Sequence, residues 1–251
     1  MIVAFGATDV GKRRSLNEDT ILVAGNLFIV CDGMGGHKAG EVASQLAVEV
    51  ISRFINLSGD DNDITWPFGF QTGFSLEANR LRTAIKLANR AVMRKSASSD
   101  EYTGMGTTAT AALLSKSRPH VTYANVGDSR IYLIRQGTIV QLTRDDSWAN
   151  LPWEDGQADQ ANAANMKHVL TKALGAQDDV EFDVTTHELS DGDILLLCSD
   201  GLTNMLSDER MLEIVAKRAD DPGTACDDLI AAANNEGGRD NISAILVCYT
   251  A

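Results

Sequence analysis

The chain has 251 residues, 44% of them hydrophobic and 23% charged, and its 35 Asp and Glu outweigh 22 Lys and Arg to give a formal net charge of −13. This ordinary composition excludes a disordered, collagen-like or coiled-coil chain, and a chain of this length buries roughly 70–75% of its unfolded surface without needing disulfides. The acidic excess also argues against a nucleic-acid-binding surface, which needs basic side chains to displace counterions from phosphates.

Alternating or continuous apolar runs predict ten strands, and apolar residues at helical spacing predict four helices. The predicted strands are Ile2–Ala7, Thr20–Ala24, Leu27–Cys31, Thr108–Leu114, Val121–Val126, Ile131–Arg135, Thr138–Leu142, Val180–Leu189, Ile194–Cys198 and Ile242–Tyr249. The predicted helices are Gly40–Ile55, Ser75–Lys95, Ser207–Arg218 and Pro222–Asn235. Two early and two late helices around many strands indicate an α+β fold. We expect a four-layer α-β-β-α sandwich, in which helix pairs flank two stacked, mainly antiparallel sheets.

No fixed repeat and no Pro-rich or Gly/Ser-rich linker divides the sequence, so we expect one domain over residues 1–251. Two polar stretches, Asn56–Gln71 and Asp145–Met166, fit neither periodicity, and loops of this length are often functional. No apolar run reaches the roughly 18–20 residues of a membrane span, and the N-terminus lacks the signal-peptide pattern. We therefore expect a cytoplasmic protein without membrane insertion.

Four aspartates lie at predicted strand ends beside glycine-containing turns: Asp32, Asp128, Asp200 and Asp240. Any one of them alone fits an ordinary turn. Carboxylates that converge from several strand ends, however, form a cage for a hard divalent cation such as Mg²⁺ or Mn²⁺, which prefers oxygen ligands. The pattern therefore indicates a candidate metal site.

Seven short motifs, in the same order along nearly the whole chain, resemble those of the metal-dependent serine/threonine protein phosphatases of type 2C in their bacterial form. The motifs are Arg14–Asp19, Val30–Glu41, Gly106–Ala109, Asn125–Tyr132, Leu170–Gly175, Leu197–Leu202 and Gly238–Ser243. Each motif alone is a weak signal, and the resemblance takes its specificity from their number and order.

The resemblance implies two metal sites that share one bridging carboxylate. Asp32 is the implied bridge, with Asp200 and Asp240 completing the first site. The second site takes Asp32, the backbone carbonyl of Gly33 and, partly through water, Glu18. The implied ions are Mn²⁺ or Mg²⁺.

Further residues have implied supporting roles around these ions. Asp19 matches the residue that orients metal-bound water, and Asp128 matches the position that helps Asp200 hold a third, weaker ion. Arg14 matches the arginine that grips the substrate phosphate, a task that suits bidentate guanidinium geometry. Asn241 is expected to support the Asp240 loop.

One position departs from the eukaryotic members of the family, which place a histidine directly after the Asp-Gly pair. Here that position is Met34, and His37 follows three residues later. His37 fits either a general acid, because imidazole titrates near neutrality, or a solvent-facing loop residue. The remaining histidines match no motif and are expected to be structural: His120, His168 and His187.

The resemblance implies hydrolysis of phosphoserine and phosphothreonine on proteins by direct attack of a metal-bridging water or hydroxide. Two alternatives stay open, a regulatory pseudophosphatase that binds phosphoproteins and a hydrolase of small phosphoesters. The expected partners are phosphorylated proteins, including a Ser/Thr kinase or its targets, and a monomer is expected. The segment 145–166 corresponds to the family's flap beside the metal site, which we expect to set substrate preference, and Asn56–Phe74 is a second candidate surface.

Overall fold

The computed structural model describes residues 1–35, 39–60, 65–150, 169–218 and 221–251. Within these residues the strands are β1 Ile2–Asp9, β2 Asp19–Ala24, β3 Leu27–Met34, β4 Gly106–Thr107, β5 Ala109–Leu114, β6 His120–Val126, β7 Arg130–Arg135, β8 Thr138–Gln141, β9 Val184–Glu188, β10 Ile194–Cys198 and β11 Ile242–Tyr249. The helices are α1 Ala39–Asp60, α2 Leu76–Ser96, α3 Asp200–Thr203, α4 Asp208–Ala216 and α5 Pro222–Asn235.

Antiparallel pairing joins the strands into two sheets. The first sheet has the order β1-β11-β10-β7-β8, and the second has the order β2-β3-β5-β6-β9, with the short strand β4 paired to the end of β3. In the second sheet, the register of β2 against β3 places Asp19 directly opposite Asp32. Two candidate site residues are therefore neighbours across one strand pair.

Three apolar layers hold the sheets and helices together. Because successive side chains of a strand point to opposite faces, a strand buried on both faces has a continuous apolar sequence, as β3 and β10 do. The layer between the sheets includes Phe28, Val30, Leu195, Leu197, Ile245 and Val247. The layer between the second sheet and α1 and α2 includes Ile29, Ile51, Leu81 and Ile85, and the layer between the first sheet and the C-terminal helices includes Tyr132, Leu196, Met211 and Leu229. The predicted four-layer α-β-β-α sandwich is confirmed.

Side-chain caps begin three of the helices. Ser75 Oγ accepts a hydrogen bond from the Ala78 amide at the start of α2, and Ser207 Oγ accepts one from the Arg210 amide at the start of α4. Asp221 caps α5, which has proline as its first residue. Each cap satisfies an amide that has no partner inside the helix, which explains why the helices begin where they do.

Several boundaries differ from the sequence-based predictions. Helix α1 runs to Asp60, so the first part of the predicted loop Asn56–Gln71 is helical. The predicted strand Val180–Leu189 is shorter and covers Val184–Glu188, because only that stretch pairs with β6.

The predicted strand Thr108–Leu114 begins later, at Ala109, and the two residues before Thr108 form β4. Thr108 lies between these strands because both its amide and its hydroxyl bond to the backbone of Asp32. None of the helices in the described part of the chain combines the length and apolarity that a membrane crossing requires.

We expect Leu196→Ala to lower the free energy of unfolding by about 2–5 kcal/mol, because it leaves a cavity under the C-terminal helices. Leu196 is fully buried in the layer between the first sheet and α4 and α5. Denaturant titration measures the change. Val140→Ala is the control, since Val140 is 56% exposed on β8 and its truncation should cost less than about 0.5 kcal/mol. Equal effects of the two substitutions would contradict this layering.

Candidate active site

An open cavity of about 460 Å³ lies where strand ends of both sheets meet. Seven of the nine predicted catalytic and metal-binding residues line it: Arg14, Glu18, Asp32, Gly33, Asp128, Asp200 and Asp240. Met34, Gly35, Thr108, Leu170 and Asn241 complete the lining. Asp32 comes from the second sheet, whereas Asp200 follows β10 and Asp240 precedes β11 of the first sheet. The cavity therefore exists only because the two sheets are stacked.

The backbone of Asp32 is held on both sides by threonines. Its amide donates to Thr108 Oγ1 at 2.8 Å, and its carbonyl accepts from the Thr108 amide at 2.8 Å and from Thr107 Oγ1 at 2.9 Å. The Thr108 hydroxyl also contacts Ser129 Oγ, beside Asp128, at 2.9 Å. These bonds fix the carboxylate at the end of β3 without using its side-chain oxygens.

Gly33 and Gly40 allow the Glu18 segment, the end of β3 and the start of α1 to approach each other beside Asp32. The Gly33 amide donates to the Glu18 carbonyl at 3.1 Å. A Cβ at Gly33 would lie 2.1 Å from the Gly40 carbonyl oxygen, and a Cβ at Gly40 would lie 2.5 Å from Glu18 Oε1. Only glycine fits at either position, so the Glu18 carboxylate is confined against the start of α1.

Asn241 connects the N-terminal segment to the Asp240 loop. Its side-chain amide donates to the carbonyls of Val10 and Leu16, and its Oδ1 accepts from the Glu18 amide at 2.8 Å. Its own backbone amide donates to Asp240 Oδ1 at 2.9 Å. One side chain therefore sets the position of both the segment that carries Glu18 and the loop that carries Asp240.

Two of the cavity carboxylates have polar partners at its edge. Arg14 Nη2 lies 2.7 Å from Asp240 Oδ2, and this hydrogen bond raises the pKa of the Arg14 guanidinium. The Asn204 side chain donates to Asp200 Oδ2 at 3.0 Å. The remaining carboxylates are crowded together with little cationic compensation.

Burial raises the pKa of several carboxyl groups in and beside the cavity, and for most of them repulsion from neighbouring carboxylates adds to the effect. Burial, followed by repulsion from Asp19, Asp200, Asp128 and Asp240, raises the pKa of Asp32 well above its usual range. Burial and the charges of Asp200 and Asp145 raise the pKa of Asp128 to about 7. Burial also raises the pKa of Asp19 to about 6, against hydrogen bonds from Ser243 and Ser199 that lower it, and burial raises the pKa of Glu18. The cavity carries negative charge that a bound cation would offset.

The donor set fits a hard divalent cation. Among the described residues, Glu18 Oε1 and Asp19 Oδ1 are buried and have no hydrogen-bond partner. In the same part of the chain, no three acidic, His or Cys side chains already form a geometry that could hold an ion. Asp240 Oδ2 accepts a hydrogen bond from Arg14, and Asp200 Oδ2 accepts one from Asn204, so these two oxygens already have protein partners in the metal-free chain. All the candidate ligand atoms are oxygens, as Mg²⁺ and Mn²⁺ prefer.

Sequence reasoning missed the hydroxyl-bearing residues that hold these carboxylates. Thr108 and Ser129 fix the Asp32 backbone and its surroundings, and Ser199 and Ser243 bind Asp19. All four lie inside or at the end of the recognised motifs, so their place in those motifs was the available signal. Because a hydroxyl has many ordinary roles, only the tertiary contacts distinguish these from other serines and threonines.

Four sequence-based predictions fall wholly or partly outside the described residues. His37 lies in the range 36–38, part of the Asn56–Phe74 surface lies in the range 61–64, and both His168 and most of the flap segment lie in the range 151–168. The described base of that segment is anchored beside the cavity. The Trp148 amide donates to the Val169 carbonyl, Ser147 bridges to Leu170, and the Asp146 amide donates to the Gly127 carbonyl.

Comparisons with known proteins indicate the family to which this chain belongs. A family model described as protein phosphatase 2C matches residues 12–241. The serine/threonine phosphatase stp of Listeria welshimeri is 38% identical over 96% of this chain and 93% of its own length, and the protein phosphatase PhpP of Streptococcus pneumoniae is 34% identical over 96% and 94%.

Solved structures show the same likeness in three dimensions. The serine/threonine phosphatase of S. agalactiae superposes with a TM-score of 0.82 at 35% identity, covering 100% of both chains. The catalytic domain of the serine/threonine protein phosphatase PstP, solved in complex with two manganese ions, superposes with a TM-score of 0.81 at 31% identity, covering 100% of this chain and 99% of the other. On these matches, which span nearly its whole length, the chain belongs to the protein phosphatase 2C family.

Proposed function

We propose that this protein hydrolyses phosphoserine and phosphothreonine on other proteins with the help of two divalent cations, Mn²⁺ or Mg²⁺. The observation that carries the proposal is one cavity in which partly buried carboxylates from two sheets meet beside the exposed guanidinium of Arg14. Family membership gives the enzyme class, a metal-dependent serine/threonine protein phosphatase. We take residues 1–251 as one catalytic domain, because the cavity draws its lining from both sheets.

Carboxylates and one backbone carbonyl supply the proposed ligands. Asp32, Asp200 and Asp240 would hold one ion, and Asp32, the carbonyl of Gly33 and Glu18 would hold the other. Asp128 lies at the edge of the same cavity and is the proposed ligand, with Asp200, of a third ion. When bound, such ions offset the charge of a phosphate dianion and lower the pKa of the water that attacks phosphorus.

Arg14 is placed to orient the substrate phosphate. Its side chain is 49% exposed at the cavity edge, and its Nη2 is bonded to Asp240. A guanidinium has five N–H donors in a planar fork, so Arg14 can contact phosphate oxygens and a carboxylate together. The contact with Asp240 holds the fork close to the proposed ligands, where a phosphate ester must lie for in-line attack.

The shape of the site favours a protein substrate over a small phosphoester. A second cavity of about 520 Å³ adjoins the first, because Asp128 and Asp200 line both. Arg144, directly before the flap segment, and Ser147 and Asn150, at its start, also line it. The second cavity has room for residues that flank a phosphorylated side chain, and we propose that the flap segment sets substrate preference there.

The proposal also implies which substrates the protein acts on, where it acts and in which oligomeric state. We expect the substrates to include a Ser/Thr kinase or the proteins that it phosphorylates, as part of signal transduction in the bacterial cytoplasm. We expect a monomer to suffice for activity, because one chain supplies all the residues that line the cavity. His37 remains a candidate general acid, and the Asn56–Phe74 surface remains a candidate for substrate contact.

We expect Asp32→Asn and Asp200→Asn each to lower kcat on a phosphothreonine peptide by on the order of 10³-fold, because each removes a ligand that supplies several kcal/mol of charge stabilisation. Steady-state phosphate release in Mn²⁺ measures the loss, and EDTA should abolish wild-type turnover. Asp100→Asn, an exposed position in a short 3₁₀ turn, is the matched control. Full activity of both site variants would contradict the proposed ligands, and a wild-type protein without turnover would favour the pseudophosphatase alternative.

We expect Arg14→Ala to raise KM for the phosphopeptide about 10-fold or more, because the phosphate loses a charged, bidentate partner. Arg14→Lys should recover only part of this loss, since an ammonium is a point charge. Initial rates over a range of peptide concentrations separate KM from kcat. Arg13→Ala is the control for the loss of a neighbouring exposed charge, and a KM increase of the same size in that variant would indicate that Arg14 acts only through overall charge.

We expect the metal-free protein to become more stable as the pH is lowered from 8 to about 5.5. Because the pKa values of Asp128 and Asp19 are about 7 and about 6 in the folded protein, and about 3.9 in an unfolded chain, the folded state binds more protons across this range. The cost of the charged cluster is therefore fully present above pH 7 and is relieved on acidification.

Thermal melts in EDTA measure this pH dependence. Mn²⁺ should raise the melting temperature most at pH 8 and less at pH 6, because protons compete for the ligand oxygens. Asp128→Asn should flatten the metal-free profile. A metal-free protein that loses stability steadily between pH 8 and 6 would contradict the assignment of raised pKa values to these carboxyl groups.

A further inference from the structure

Two buried serines hold one oxygen of Asp19. Ser199 Oγ donates to Asp19 Oδ2 at 2.7 Å, and Ser243 Oγ donates to the same oxygen at 2.6 Å. Both serines are fully buried, and Asp19 is 7% exposed. Asp19 belongs to the second sheet, whereas Ser199 follows β10 and Ser243 lies in β11 of the first. The carboxylate is therefore a bridge between the sheets at the end where the candidate site lies.

The hydrogen bonds around Asp19 form a closed ring with a defined direction. Because Ser243 donates its only hydroxyl proton to Asp19, its oxygen accepts from Thr8 Oγ1 at 2.8 Å. Thr8 Oγ1 in turn accepts from Asn17 Nδ2 at 2.9 Å, and Asn17 Oδ1 accepts from the Asp19 amide at 3.2 Å. The Ser199 oxygen accepts from the Ser243 amide at 3.0 Å. This direction leaves Asp19 Oδ2 as an acceptor only.

The hydroxyl of Ser199 donates its hydrogen bond to Asp19 and does not cap the helix that it precedes. Ser199 is the N-cap of α3, a position where serine normally accepts a hydrogen bond from a backbone amide of the first turn. Ser75 and Ser207 make that bond at the starts of α2 and α4, but Ser199 makes no side-chain cap bond. The short helix α3 therefore lacks a side-chain cap, and the Ser199 hydroxyl bonds Asp19.

The ring leaves the other oxygen of Asp19 without a hydrogen bond, near the neighbouring acidic residues. Asp19 Oδ1 is buried without a hydrogen-bond partner among the described residues. Asp19 lies opposite Asp32 in the β2–β3 register, and the charges of Asp200 and Asp240 act on it. With Oδ2 fixed by two donors, rotation of the carboxylate would break two charge-assisted hydrogen bonds, so the position of Oδ1 is fixed as well.

We propose that Ser199 and Ser243 are positioning residues for the metal site, whose hydroxyl groups hold Asp19 so that its second oxygen stays available to the cations or their water. This inference rests on the proposed function, because it assumes that the carboxylate cavity binds divalent cations. It assigns no direct contact between either serine and substrate. The two serines also tie the strands that carry Asp200 and Asp240 to the strand that carries Asp19, so the relative position of the two halves of the site depends on them.

Manganese binding to the metal-free full chain tests the proposal. After EDTA removal of metal, isothermal titration with Mn²⁺ should show about 10-fold weaker binding for Ser199→Ala and for Ser243→Ala than for wild type, which is the size expected when a partner of a metal-site residue is removed. Ser58→Ala is the matched control, because Ser58 is also fully buried but its hydroxyl bonds to the Ile55 carbonyl within α1. That variant should bind Mn²⁺ as wild type does.

A double-mutant cycle separates positioning from a general structural role. If the serines act through Asp19, then adding Ser243→Ala to Asp19→Ala should not weaken Mn²⁺ binding further. If Ser243 only stabilises the fold, the second substitution should weaken binding by the same factor in both backgrounds, which would overturn the proposal. Ser199→Cys and Ser243→Cys keep the side-chain volume with a weak donor and give the same test where an alanine variant does not fold.

The outcomes distinguish this inference from the function on which it rests. A wild-type chain that does not bind Mn²⁺ would overturn the proposed function and the positioning role together. A wild-type chain that binds Mn²⁺, with serine variants that bind it equally well, would overturn the positioning role alone. Weaker binding in the Ser58→Ala control to the same extent would also overturn it, because the effect would then follow from any lost buried hydroxyl.

Discussion

Desolvation of partly buried carboxylates, together with their mutual repulsion, is the constraint on which the rest of this structure depends. Asp32, Asp128, Asp200 and Asp240 line one cavity, and Asp19 lies opposite Asp32 across the β2–β3 strand pair. The raised pKa values of Asp32, Asp128 and Asp19 show that this grouping costs free energy in the metal-free protein. A fold that tolerates such a cost must hold these residues by contacts other than those of their own carboxylates. A bound cation would remove the repulsion, and the free energy released would favour cation binding.

The stacked sheets meet this requirement in two ways. Their apolar layers, on both faces of β3 and β10, fix the strands whose ends carry Asp32 and Asp200. Hydroxyl and amide groups then hold the strand ends themselves: Thr108 bonds the Asp32 backbone, and Asn241 bonds the Glu18 segment. The hydrophobic layers set the distance between the sheets, and the polar contacts set the detailed positions at the cavity.

Among the described residues, the cationic groups near the cavity are few and lie at its edge. Arg14 pairs with Asp240 at the mouth, and Arg130 is occupied by Asp145 through three hydrogen bonds at 2.8–3.1 Å. A phosphate therefore meets little positive charge from this part of the chain before a metal is bound. This arrangement makes the proposed catalysis depend on divalent cations, while Arg14 adds orientation. It also reconciles an acidic chain of net charge −13 with an anionic substrate.

From sequence alone, periodicity identified the layers, and motif order identified the family and the acidic residues that meet in the cavity. Both signals are local, because residues adjacent in the sequence determine whether a strand is buried on two faces or an Asp-Gly turn forms. The tertiary structure alone decided which hydroxyls hold those carboxylates: Ser199, at an N-cap position, and Ser243, inside β11, bond Asp19 from the other sheet, 180 and 224 residues away in sequence. Hydrogen bonds over such separations leave no periodic signal, since they depend on how the two sheets pack.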